Sequence, residues 1–175
     1  MEDRKFKKGT NVVYGTNGIC IIEDIKPMRF VAGQKESLYY ILKPCSSISS
    51  TVFVPADNEV LVSKMREPLS KKEIDELLLG IRDKDFEWNS DRRFRNDMYH
   101  DILSKGVDRD LILMIRCIYL KKQELQEEGK KLPTTDNNTL KAAEKLLEEE
   151  FTYVLGVDSE EMKEYIRDMT KATKE

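Results

Sequence analysis

The sequence predicts an α+β protein in two parts, a small β-barrel over residues 1–66 followed by an all-α helical bundle over residues 67–175. Two observations carry this. Up to Arg66 the apolar residues come in short β-branched and aromatic runs punctuated by Gly, Asn and Ser, the pattern of short strands and turns. From Ser70 onward they recur at i, i+3, i+4 and i+7, the spacing of one helix face. With 175 residues, 39% hydrophobic and 36% charged, the chain can build two small cores beneath a highly charged surface.

The strand half begins with Asn11-Val12-Val13-Tyr14, turns through Gly15-Thr16-Asn17-Gly18, and continues as Ile19-Cys20-Ile21-Ile22-Glu23-Asp24-Ile25. Ala32-Gly33-Gln34-Lys35 reads as a hairpin tip, Leu38-Tyr39-Tyr40-Ile41-Leu42 and Thr51-Val52-Phe53-Val54-Pro55 as further strands, and Val60-Leu61-Val62 as a short last one. Five strands in so few residues cannot form a large sandwich. A small SH3- or Tudor-like barrel is the economical arrangement, because closure removes exposed strand edges.

The helical half opens with the capping box Ser70-Lys71-Lys72-Glu73, followed by Ile74, Leu77, Leu78 and Ile81 on one face. Lys84 to Ser90 reads as a linker ending in a cap. A helix from about Asp91 carries Phe94, Met98, Ile102 and Leu103 inward and stops at Gly106. The next, with Asp108 as its cap, is apolar almost all round through Leu111 to Tyr119, as befits the buried centre of a bundle. Gly129 to Pro133 breaks the chain. A helix over roughly 136–155 follows, with Leu140, Ala143, Leu147 and Phe151 on one side, ended by Gly156. A last helix from Ser159 shows Met162, Tyr165, Ile166 and Met169, and Thr170 to Glu175 is expected to fray.

Composition points away from several function classes. No apolar run is long enough to span a bilayer, and Met1-Glu2-Asp3-Arg4-Lys5 has no secretory character, so a cytoplasmic protein without membrane contact is expected. Cys20, Cys45 and Cys117 are widely spaced and read as buried thiols, with no disulfide and no metal site. His100 is the only histidine and has no nucleophile or orienting group to work with. The glycines match no phosphate-binding loop, and Glu148-Glu149-Glu150 reads as a solvated face. The chain is therefore expected not to be an enzyme and to need no cofactor.

The net charge of −3 is unevenly spread. Residues 1–66 hold 10 Lys and Arg against 7 Asp and Glu, residues 88–131 hold 10 against 8, and residues 132–175 hold 6 against 11. Unassisted DNA binding draws its affinity from phosphate neutralisation, so a chain this acidic contacts DNA only locally or with a partner's help. Trp88, the sole tryptophan, lies in a polar stretch just before Arg92-Arg93-Phe94-Arg95. Two readings are open. Trp88 docks into the bundle, with Arg92 and Arg93 in surface ion pairs; or it is an exposed aromatic wedge for the DNA minor groove, with arginines on the phosphates.

Phe6-x-x-Gly9-x-x-Val12-Val13-Tyr14-x-x-x-Gly18, then Leu38-Tyr39-Tyr40-Ile41-Leu42, Val52-Phe53-Val54-Pro55, and Trp88 before Arg92-Arg93-Phe94-Arg95 and Ser104-Lys105-Gly106, together resemble the CarD/CdnL family of bacterial transcription regulators. The N-terminal part is also similar to the polymerase-binding module of the transcription-repair coupling factor. The resemblance implies that residues 1–66 bind the RNA polymerase β subunit through an exposed strand edge, with Arg29 and Phe53 as contacts. It implies that residues 67–175 touch promoter DNA in the minor groove at the upstream edge of the bubble, stabilising the open complex. Trp88, Arg92, Arg93 and Arg95 are the DNA-binding positions it points to; the lysine relatives carry near the start of the fourth helix is replaced by Asn137 and Asn138, and Lys130 is the basic residue expected to meet a phosphate there. Phe53 stands where relatives often carry a basic residue. The expected protein is a nucleoid-associated monomer whose weak DNA contact is tethered by polymerase. The alternative is a protein-only adaptor of the transcription machinery that does not touch DNA.

Overall fold

The computed structural model describes residues 5–170. The chain divides into two compact units, Met1–Pro68 and Leu69–Glu175.

The first unit is an antiparallel five-strand sheet. β1 (Asn11–Tyr14) leads through a single 3-10 turn at Gly15–Asn17 into β2 (Ile19–Met28), followed by β3 (Ser37–Pro44) and β4 (Val52–Pro55). A helical turn, α1 (Glu59–Val62), precedes the two-residue β5 (Met65–Arg66). Strand order is β4-β3-β2-β1-β5. The register places Val12 opposite Cys20, Ile22 opposite Leu42, and Tyr40 opposite both Ile25 and Val54. These rows share one face by the two-residue alternation of strands. With Phe6 and Met65 they form the core, and Phe6 meets Tyr40 edge to face at 6.2 Å. A bulge between Ile22 and Asp24 interrupts the β2–β3 register.

The sheet departs from the expected barrel in two linked ways. Val60-Leu61-Val62 is not a strand: the Asn58 side chain accepts a hydrogen bond from the Leu61 N–H and starts a helical turn there. The last strand is therefore only Met65–Arg66, and it pairs with β1 alone. The ladder stays open, with β4 and β5 at its ends.

The second unit is helical: α2 (Lys71–Gly80), α3 (Arg92–Lys105), α4 (Asp108–Glu127), α5 (Thr134–Leu155) and α6 (Ser159–Thr170). α2 starts on the complete Ser70–Glu73 capping box. α3 and α5 end on Gly106 and Gly156, both in the left-handed conformation that glycine adopts without a Cβ penalty. α4 is the central helix. Its Ile112 and Leu113 pack with Ile74, Leu78 and Phe151, while Leu111, Met114 and Ile118 pack with Tyr99, Ile102 and Leu140.

Several expectations are corrected here. Phe94 does not point inward: it is 58% exposed, and the buried face of α3 is Arg95, Tyr99 and Ile102. The N-cap of α4 is Val107, with Asp108 as the first helical residue. Glu150 is not solvated: its buried carboxylate accepts the Leu69 N–H at 2.9 Å, ahead of α2. Cys45 is exposed, unlike Cys20 and Cys117. The expected fraying tail beyond Thr170 lies outside the described residues. No described helix is long and apolar enough to cross a membrane. Among the described residues no metal-ligating cluster of His, Cys, Asp or Glu forms.

Candidate functional site

One candidate site is the β4 edge. The Ala56 N–H donates to the Leu38 carbonyl at 2.8 Å. In an antiparallel ladder hydrogen-bonded partners alternate with non-bonded ones, so Tyr40–Val54 and Leu42–Val52 are the bonded pairs of β3 and β4. The N–H and C=O of Phe53 therefore point away from β3, toward the open edge. Pro55 directs only a carbonyl outward, because it has no N–H. Within Val52–Pro55, Phe53 is the one residue that offers an added strand both backbone groups.

The same residue carries an aromatic cluster on the sheet face opposite the core. Phe30, from the loop after β2, packs edge to face on Tyr39 at 5.1 Å and on Phe53 at 5.2 Å. Phe30, Val31 and Phe53 are all exposed. Arg29 precedes Phe30 and reaches Glu36 across the loop at 3.9 Å, with both side chains about half exposed. An exposed pair at that distance holds the guanidinium weakly. Arg29 and Phe53 are thus drawn to one neighbourhood through Phe30. The cluster partners Phe30 and Tyr39 escape sequence reasoning, although strand alternation sends Tyr39 outward once Tyr40 is placed inward.

The second candidate is the entry to α3. Asn89 accepts the Asp91 N–H at 2.8 Å, and Asp91 caps the helix by accepting the Arg93 and Phe94 N–H groups at 2.9 and 3.2 Å. These turns present Arg92, Arg93 and Phe94 on an exposed first turn. Cations there sit at the unfavourable, positive end of the helix dipole. Among the described residues neither Arg92 nor Arg93 forms a salt bridge, and the Asp91 carboxylate that caps the helix offsets part of the positive charge there.

Trp88 is half-buried, its ring packed against the Tyr99–Met114–Ile118 cluster. The Arg95 guanidinium lies over this ring, 4.2 Å from its centre, and the Lys121 ammonium stands 5.9 Å away. Of the two readings open in the sequence, the structure has Trp88 docked into the bundle and not a fully exposed wedge. Arg95 is a clearer correction. It is 3% exposed and donates from Nε and Nη2 to the two carboxylate oxygens of fully buried Asp136, at 2.8 and 2.9 Å. Its Nη1 donates to the Asn89 carbonyl at 2.7 Å. The paired carboxylate outweighs burial and pushes the guanidinium pKa up, holding Arg95 charged inside the bundle, out of reach of a phosphate. The partner, Asp136, lies 41 positions away and carries no local signal in the sequence.

Lys130 is exposed after α4 and bonds Glu128 at 2.7 Å. It lines a shallow hollow with Lys122, Lys131 and Asn137 at the start of α5. Lys121 and Lys122, adjacent on α4, thus turn to the Trp88 ring and to this hollow respectively.

No curated protein matches the chain. A family model does match: residues 6–66, the span from the first core aromatic to the last strand, correspond to the CarD-like/TRCF RID domain. Over these residues the open five-strand sheet with its β4 edge is similar to the CarD-like/TRCF RID domain.

Proposed function

We propose that the protein is a bacterial transcription regulator, without catalytic activity, that binds the RNA polymerase β subunit and promoter DNA at the upstream edge of the bubble and so stabilises the open complex. The observation that carries the reading is the family match of residues 6–66. The β4 edge supports it. A strand of the β subunit adds there by β-augmentation, exchanging backbone bonds with Phe53 while Pro55 keeps the added strand short. Arg29 and the Phe30–Phe53 cluster contact the same partner.

The helical unit supplies the DNA contact. Arg92 and Arg93 meet phosphates, Trp88 meets the splayed minor groove, and Lys130 adds a peripheral phosphate contact. Few phosphates are contacted, in line with the net charge of −3. Tethering by polymerase raises the effective DNA concentration and makes strong intrinsic affinity unnecessary. The protein acts in the cytoplasm as a monomer. Capture of the isolated β subunit by the full chain tests the tether: Phe53→Glu is expected to abolish capture, and capture indifferent to this change contradicts the reading.

A second reading, a protein-only adaptor without DNA contact, draws on the burial of Arg95, which leaves two of the three arginines after Trp88 exposed. Trp88 fluorescence with polymerase separates the two. Quenching on addition of a forked promoter fragment supports DNA contact, and no response supports the adaptor.

A further inference from the structure

Trp88 sits in a linker between α2 and α3, a place where an aromatic side chain has no helix face to fix it. Its surroundings are nevertheless built. Arg95 reaches three groups on two elements at once: the Trp88 ring at 4.2 Å and the Asn89 carbonyl at 2.7 Å in the linker, and Asp136 in the first turn of α5 through two parallel bonds. Asp136 is 0% exposed and Arg95 3%, so the fork is not loosened by water. A guanidinium held by a planar carboxylate fork has little freedom to tilt, and it is a flat surface against which an indole stacks. Burying an ion pair is expensive and adds little stability over apolar residues of the same size. The arrangement is better explained by the group it orients than by stability.

We propose that Arg95, locked by Asp136, is the positioning residue that sets the pose of Trp88. This rests on the promoter-contact reading only for what Trp88 is positioned to do. The geometry also limits how Trp88 engages DNA. Intercalation between two stacked bases needs both faces of the indole, and Arg95 covers one. Trp88 therefore works as a wedge that enters by the part of its ring that Arg95, Lys121 and the bundle core leave uncovered.

Trp88 is the only tryptophan, so its emission reports on this position alone. In the full chain, Arg95→Met/Asp136→Leu removes the fork while filling its space. The expected result is a cooperatively folded protein whose Trp88 emission shifts to the red and whose quenching by acrylamide rises severalfold. Unchanged emission and quenching in that folded variant overturn the proposal. Should the double variant fail to fold, Arg95→Lys keeps the charge but not the fork, and a smaller change in the same direction is expected; no change overturns the proposal equally. Open-complex lifetime on the same variants reads the other arm. A displaced Trp88 with a shortened lifetime supports both positioning and promoter contact, whereas a displaced Trp88 with a wild-type lifetime supports positioning and removes the promoter role.

Discussion

Phe30 meets Phe53 edge to face, ring centres 5.2 Å apart and planes at 73°, on the sheet face opposite the core. The contact links the loop after β2 to the open strand edge, so the backbone groups that an added strand needs and the apolar surface that it meets belong to one residue. An aromatic pair of this geometry is worth about 0.5–1.5 kcal/mol beyond its area. Phe30→Ala is expected to weaken binding of the β subunit by about tenfold or less, with the fold retained. Titration calorimetry checks it, and such an apolar contact survives raised salt better than an ionic one.

Trp88→Ala is expected to leave β-subunit binding intact and to shorten open-complex lifetime. Contacts of one aromatic with bases are worth about 1–3 kcal/mol. A drop of roughly fivefold or more is therefore expected in competitor-challenged lifetime assays.

Arg92→Ala and Arg93→Ala are each expected to weaken the promoter contact uniformly across sequences and to reduce its salt slope by about one. Arg95→Ala is expected to behave differently, lowering stability as well, because this side chain holds Asp136 and not a phosphate. Salt titrations of the polymerase–promoter complex separate the two behaviours.

Asp136→Leu leaves the Arg95 guanidinium buried without its carboxylate. Breaking such a pair from one side costs about 3–5 kcal/mol. The Arg95→Met/Asp136→Leu protein is expected to recover most of that loss, which denaturant unfolding of the three proteins measures.

The Tyr165 hydroxyl donates to Asp75, tying α6 to α2. That hydrogen bond, with some burial, pushes the phenol from 10.0 up to about 12. The folded state thus holds this proton more tightly than the unfolded chain. The associated stability is complete below pH about 10 and is lost as pH rises toward 12. Tyr165→Phe is expected to be less stable at neutral pH and to show a shallower alkaline decline, measured by thermal melts across that range.

The sequence carries the local parts of this fold legibly. The Ser70–Glu73 box, the Ile74–Leu78–Ile81 stripe and the Leu140–Phe151 face depend on residues within a few turns of each other, and each stands where the periodicity puts it. Val60-Leu61-Val62 is misread because three apolar residues suit a strand or a helical turn, and one Asn58 hydrogen bond decides between them. The face of α3 is misread by one position because an arginine occupies it, and its partner is distant in the chain. At the candidate site, Arg29, Phe53, Arg92 and Arg93 are surface residues that the sequence could name. The covering of Trp88 by Arg95 required the tertiary structure.

A clamp that polymerase tethers and that holds a promoter open is read out by open-complex lifetime with and without the full chain. A longer lifetime is expected with the wild-type protein, lost in both Trp88→Ala and Phe53→Glu. A lifetime that the wild-type protein leaves unchanged while it binds the β subunit would contradict the clamp.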